Sequence, residues 1–196
     1  ETCGPVREGR FVGIFYWMQM LKMEGEQALW RAADEALTFL EETGHQNILV
    51  ELANEIDVVV NNTPYNMFAA DQVHEMIGRL RQNHPGLLYS TSGGGAQVET
   101  GRGMPTPDLV QAVDFVLLHG NGTRPPGLEA AIQAVRAMPM YQRDPKPIVI
   151  NEDSPAVPNF EAAWRNYASW GYYDQGFEGQ GDDPYVHYAP RPRSSE

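Results

Sequence analysis

The stretch Asn47-Ile48-Leu49-Val50-Glu51-Leu52-Ala53-Asn54-Glu55 decides the reading of the fold. Its first seven residues (NILVELA) form a largely apolar run, the pattern of a strand covered on both faces. The run then breaks into two polar residues, Asn54 and Glu55. Functional side chains of parallel α/β folds collect where strands end, so an Asn-Glu pair at that point invites a search for another. Asn151-Glu152 supplies it, closing the run Lys146 to Glu152 (KPIVINE).

Working outward, short apolar runs alternate with helical patterns. Phe11 to Trp17 (FVGIFYW) reads as a strand, and Glu26 to Glu42 as a helix with Leu29, Ala33, Ala36, Leu37 and Leu40 inward. An Asn- and Pro-rich loop is expected from Asp57 to Asn66. Asp71 then reads as the N-cap of a helix whose face is Val73, Met76, Ile77 and Leu80. Leu87 to Ser92 is a third strand running into Gly93-Gly94-Gly95. Thr106-Pro107 opens a helix carrying Leu109, Val110 and Val113.

Phe115 to His119 (FVLLH) is the next strand, followed by a helix with Leu128, Ala131, Ile132 and Val135. After KPIVINE, Asn159 is expected to cap a helix with Phe160, Ala163, Trp164 and Tyr167 inward. Trp170 to Tyr173 is a last strand, and an irregular tail begins near Asp174. Strand starts recur every 23 to 40 residues, around the ~31 of a (β/α)8 barrel. Doubly wound sheets have similar units, so the spacing fixes α/β with parallel strands and no more. No low-complexity linker divides residues 1–196, which are read as one domain.

The 196 residues carry a net charge of -12 and no cluster of Lys and Arg, which argues against a nucleic-acid partner. Cys3 is the only cysteine, so no intrachain disulfide forms. No apolar run approaches the ~18 residues of a membrane span, so no membrane partner is expected. The chain opens on Glu1 and not Met, which reads as a lost start.

Two carboxylates on facing strand ends can cleave a glycosidic bond: one protonates the leaving oxygen and the other traps the cationic centre, at ~5 Å in retaining enzymes. Glu51-Leu52-Ala53-Asn54-Glu55 resembles the E-x-x-N-E signature on the fourth strand of clan A glycoside hydrolases, the cellulase-like superfamily. That resemblance implies that Glu55 is the acid/base, held protonated by a raised pKa, and that Asn54 contacts a sugar hydroxyl. Glu152, 97 residues on, is then the nucleophile ending strand seven.

The resemblance implies an incomplete (β/α)8 TIM barrel, with about strands 3 to 8 present and strands 1 and 2 missing. The runs NILVELANEID, STSGGG, LLHGNG, INED and YASWGYYD are further similar to uncharacterised bacterial glycosidase-like proteins, which implies a secreted or periplasmic setting and a carbohydrate partner. Ile56 stands where such enzymes usually have Pro, and His119 where many have Tyr. The sugar and linkage stay open.

Strand ends supply the remaining candidates. His119 and Asn121 are placed to contact substrate, although a rim histidine serves hydrogen bonding equally often. Trp170, Tyr16 and Trp17 offer faces for sugar stacking, against the commoner role of packing. The Gly93-Gly94-Gly95 loop lacks the Lys-Ser/Thr of a phosphate loop and reads as a rim loop. Ser92 and Ser154 lack a nucleophile elbow. The histidines show no ligand spacing, so no metal and no cofactor are expected. The rival reading is a non-catalytic carbohydrate-binding barrel or an inactive fragment.

Overall fold

The computed structural model describes residues 10–45 and 48–172. The expected tail from about 174 lies outside them, as do Asn47 and Tyr173 at the margins of two expected strands. Six strands are present among the described residues: β1 (Arg10–Phe15), β2 (Ile48–Ala53), β3 (Leu88–Ser90), β4 (Val116–His119), β5 (Ile148–Asp153) and β6 (Ser169–Tyr172). They form two parallel three-stranded sheets in the orders β1-β2-β3 and β4-β5-β6. Strand order follows chain order within each sheet, without the reversal that marks a doubly wound sheet. The fold is α/β with parallel sheets, an arrangement consistent with part of a TIM-like barrel.

Asp114 bridges the two sheets where β3 meets β4. Asp114, just before β4, donates its N–H to the Tyr89 carbonyl (2.9 Å), and its Oδ2 accepts from the Tyr89 N–H (2.7 Å) and from Arg81 Nη2 (2.8 Å). The side chain thereby takes the place of a missing rung between β3 and β4.

Among the described residues eight α-helices occupy the connections: α1 (Trp17–Met20), α2 (Glu26–Glu42), α3 (Ile56–Asn62), α4 (Val73–Asn83), α5 (Pro107–Ala112), α6 (Pro125–Ala137), α7 (Pro139–Arg143) and α8 (Val157–Arg165). α2 has the expected bounds, and α4 buries Val73, Met76, Ile77 and Leu80 as its spacing requires. Thr106 caps α5, its hydroxyl accepting from the Leu109 N–H at 3.3 Å. Among the described residues no helix is long and apolar enough to cross a membrane.

Several expectations change. The Asp57–Asn66 loop is largely helix α3, followed by a 3-10 turn at Asn66–Phe68. Val58, Val59 and Val60 are poor helix formers, but burial of Ile56 and Val59 overrides propensity. α4 starts after Gln72 and not Asp71. The first strand stops at Phe15, and Trp17 enters α1.

Asn159 does not cap α8. It is buried, donating Nδ2 to both Asp153 carboxylate oxygens (2.9 Å each) and to the Thr123 carbonyl (2.8 Å). That anchorage turns Ala162 and Ala163 inward, whereas Phe160 and Trp164 are exposed and Tyr167 is 86% exposed. Two alanines let α8 lie close against its neighbours, where the aromatics would not fit.

Candidate functional site

The wall gathers polar side chains at the C-terminal ends of β2, β4 and β5. Past β2, the Asn54 N–H bonds the Phe15 carbonyl (2.9 Å) and the Glu55 N–H bonds Ser92 Oγ (2.9 Å). Past β4 and β5, pairing continues through Gly120 N–H to the Asn151 carbonyl (3.2 Å) and Asn121 N–H to the Glu152 carbonyl (3.0 Å). Position 120 must be glycine for this approach, because a Cβ there would overlap the Asp153 carboxylate. Glu55 (φ 52°), Asn121 (φ 36°) and Glu152 (φ 47°) all adopt left-handed backbone. Non-glycine residues rarely do so, and such strain gathers at functional sites.

Their side chains meet. Asn121 Nδ2 donates to Glu55 Oε1 at 2.5 Å, and Asn54 Nδ2 donates to Glu152 Oε1 at 2.9 Å. Between the two carboxylates stands His119 Nδ1, 3.2 Å from Glu55 Oε1 and 3.4 Å from Glu152 Oε2. Behind the ring, Nε2 lies 3.5 Å from Glu51 Oε1, which also accepts from the Ser92 hydroxyl. One donor atom from each of Glu55, His119 and Glu152 falls within 4.8 Å of the others.

The charges follow from this packing. Burial pulls the His119 imidazole toward its neutral form, but Glu51, Glu55 and Glu152 outweigh it and hold its pKa up at about 9. Glu55 is lowered, chiefly by its bond to His119, against the opposing effect of burial. Glu152 is raised, chiefly by burial and further by Glu51 and Glu55, with His119 and Asn54 offsetting part of it. The expectation that Glu55 carries the proton is therefore reversed. The imidazolium and Asn121 favour its ionised form, and Glu152 is the carboxyl more inclined to be protonated.

Asn54, Glu55, His119, Asn121 and Glu152 thus come together, while the aromatics do not join them. Trp170 turns its Nε1 to Asp153 Oδ2 (2.7 Å) and packs edge-on against Phe160 of α8. Trp17 packs into the core from α1. Tyr16 folds its ring back over Gly13, on the strand neighbouring Glu51. The member that sequence reasoning left without a role is Glu51, 1% exposed and aimed at His119. A lone acid inside NILVELA was the available signal, since a buried carboxylate demands a partner. Ser92 belongs to the cluster as a hydrogen-bonding post.

No family model matches the chain, and no curated protein matches it. Among solved structures, it is similar to the Bacillus subtilis YkuI protein, a protein with an EAL domain determined in complex with its substrate c-di-GMP and calcium. The identity is 14% and the TM-score 0.51, over 83% of this chain and 35% of that one. The likeness is one of fold. This chain spans 35% of the length of that solved chain.

That neighbour overturns the resemblance to clan A glycoside hydrolases. With it fall the retaining glycosidase, its alternative as a carbohydrate-binding barrel, the tie to bacterial glycosidase-like proteins and the carbohydrate partner. The physical reason lies in the motif itself. Five residues ending a strand in Asn-Glu record that a parallel wall gathers acids at one rim, whatever chemistry is done there. Here the two carboxylates share an imidazolium, so their proximity alone names no sugar site.

Proposed function

We propose that this chain is an enzyme hydrolysing a phosphodiester at the Glu55–His119–Glu152 cluster, with a divalent cation held by those three side chains. The observation that carries the reading is the convergence of one donor atom from each within 4.8 Å, on three separate strand ends. Oxygens bound to one Ca2+ at ~2.3–2.6 Å stand no more than ~5 Å apart, so the spread suits a shared cation. Two carboxylates with one imidazole suit an ion such as Mn2+. The fold likeness to an EAL-domain protein solved with c-di-GMP and calcium supports the same chemistry. We take the six strands as consecutive members of a (β/α) barrel and the chain as one catalytic domain.

In this reading a bound cation supplies charge neutralisation at the phosphoryl oxygens. The remaining work belongs to the chain. Asn121 and Asn54 hold the Glu55 and Glu152 carboxylates in place, and Glu51 with Ser92 backs the imidazole. His119 gives up its proton on ligation, because a ligating imidazole is neutral. Glu152 would accept the proton of the attacking water as the water oxygen bonds to phosphorus and the P–O bond to the leaving oxygen breaks, the leaving oxygen taking up a proton from solvent.

The test is calorimetric titration of the chain with Mn2+, followed by chromatography of c-di-GMP incubated with the loaded protein. Saturable uptake and release of a linear dinucleotide are expected, both lost in Glu152→Gln and His119→Asn. Uptake that these substitutions leave untouched would sink the proposal.

A further inference from the structure

Beside the cluster, under the loop that follows β3, lies a cavity of about 210 Å3. Ile56, Met104 and Leu109 give it apolar walls, and Asp57 and Arg102 are its charged lining groups. None of the cluster residues lines it, yet it abuts them, since Ile56 and Asp57 follow Glu55 directly. A Cβ on Gly94 would stand 3.4 Å from the Glu55 carboxyl carbon and 3.3 Å from both Asp57 carboxylate oxygens. Glycine at 94 keeps the loop in close approach to both carboxylates.

The polar groups have capacity to spare. Asp57 Oδ1 accepts from the Gly94 N–H at 2.6 Å. Its Oδ2 is 3.9 Å from Arg102 Nε, too long for a hydrogen bond. A carboxylate oxygen at an apolar slot is matched by a planar group bearing N–H donors. A half-exposed guanidinium at the same slot is matched by an anion. The volume exceeds the ~150 Å3 cavity that takes up benzene and falls below the ~300–1,000 Å3 of drug-sized sites. It holds one ring system.

We propose that this cavity is the subsite for one nucleobase of the substrate, with Asp57 accepting from the base N–H groups and Arg102 pairing with the adjoining phosphate. That the base belongs to a substrate rests on the phosphodiesterase reading; that the cavity takes a base does not. The assignment makes the 93–104 loop the specificity element of the site. It also gives the rim loop after β3 a ligand-binding role.

The experiment titrates the metal-free chain, labelled at its methionine methyls, with GMP and separately with ribose 5-phosphate. The Met104 methyl should shift saturably with GMP while that of Met20, fully buried in the core, stays still. Ribose 5-phosphate should leave Met104 unmoved. Ala70→Trp, at an exposed lining position, should abolish the shift, and Asp57→Asn should weaken GMP about tenfold. An unmoved Met20 resonance certifies that each variant is folded.

A Met104 shift that is absent, unchanged in both variants, or equalled by ribose 5-phosphate overturns the assignment. The readout needs neither metal nor turnover. A chain that binds GMP here but takes no Mn2+ refutes the catalytic reading alone, and one that cleaves c-di-GMP with Met104 unmoved refutes the cavity alone.

Discussion

His84 and His119 are both buried, and each meets carboxylates through both ring nitrogens. His84 gives Nδ1 to Glu41 Oε2 at 2.9 Å and Nε2 to Asp34 Oδ1 at 3.0 Å. Both acids lie on α2, and the ring closes the end of α4, so the arrangement clasps one helix to another. The carboxylates stay half in water, and each nitrogen has its own partner. At His119 one nitrogen is shared by two acids from different strands, and the other faces Glu51 Oε1 at 3.5 Å without a hydrogen bond. The backbone under both of those acids is left-handed. Carboxylates spread across a ring satisfy it; carboxylates converging on one nitrogen leave a point at which something else can bind.

The largest effects should fall on the convergent cluster. Glu152→Gln and His119→Asn should each lower the rate of c-di-GMP cleavage in Mn2+ by ~10²–10⁴-fold, the scale of losing an acid–base group. Asn54→Ala, which frees Glu152 from its 2.9 Å bond, should weaken Mn2+ by ~10–100-fold. Equal rates in wild type and Glu152→Gln would make His119 a second clasp, and the contrast with His84 would collapse.

The pH dependence has a defined sign. His119 is raised to about 9, above the ~6.5 of a free imidazole, so its ion cluster stabilises the metal-free fold fully below ~6.5. That contribution is lost as pH rises through about 9. Mn2+ must displace the same proton, so its affinity should climb as pH rises toward about 9, with proton release visible by calorimetry in buffers of different ionisation enthalpy. An affinity flat across that range would remove His119 from the ligand set.

The clasp should answer differently. His84→Gln should leave cleavage and Mn2+ uptake unchanged while lowering Tm by a few degrees, at ~2–4 °C per kcal/mol for a chain of this size. Burial pulls the His84 imidazole down, but its hydrogen bonds to Glu41 and Asp34, with their charges, together outweigh it and leave the pKa raised. Its contribution is therefore complete below ~6.5 and lost as pH rises through the raised value. Asp34 is lowered, first by its bond to His84, so on the acid side the contribution fades as pH falls through that lowered value. The gap in Tm between wild type and His84→Gln should be wider near pH ~6 than at pH ~9.

The two regions also differ in how far they were legible. Asn54, Glu55, His119, Asn121 and Glu152 could be read because topology carries strand ends to one rim, and a polar residue closing an apolar run is visible in any sequence. The clasp could not, since Asp34, Glu41 and His84 sit on helices whose relative placement no periodicity encodes. Glu51 stands inside the apolar run of β2 with no task legible from the run itself, because its task is set by a ring on β4. The aromatic face of α8 was misread for a related reason: the buried Asn159–Asp153 bond, and not hydrophobicity, fixes which way that helix turns. The reaction itself was the least legible part, as an Asn-Glu strand end is shared by unrelated chemistries on similar walls.

The smallest effect concerns Trp170, which lies outside both histidine clusters. Its indole N–H reaches Asp153 Oδ2 at 2.7 Å, but Asp153 keeps the two bonds from Asn159 and one from the Ser154 N–H at 2.8 Å. Trp170→Phe therefore removes one hydrogen bond of several and retains a ring to pack against Phe160. A cost of ~0.5–1.5 kcal/mol is expected, read as a small fall in Tm, with KM for c-di-GMP unchanged. A tenfold rise in KM with Tm unmoved would put the indole on the substrate's path and extend the convergent cluster to β6. The bond to Asp153 argues for the first outcome, because it commits the side chain to the α8 side of the wall while Glu152, one residue earlier, commits to the rim.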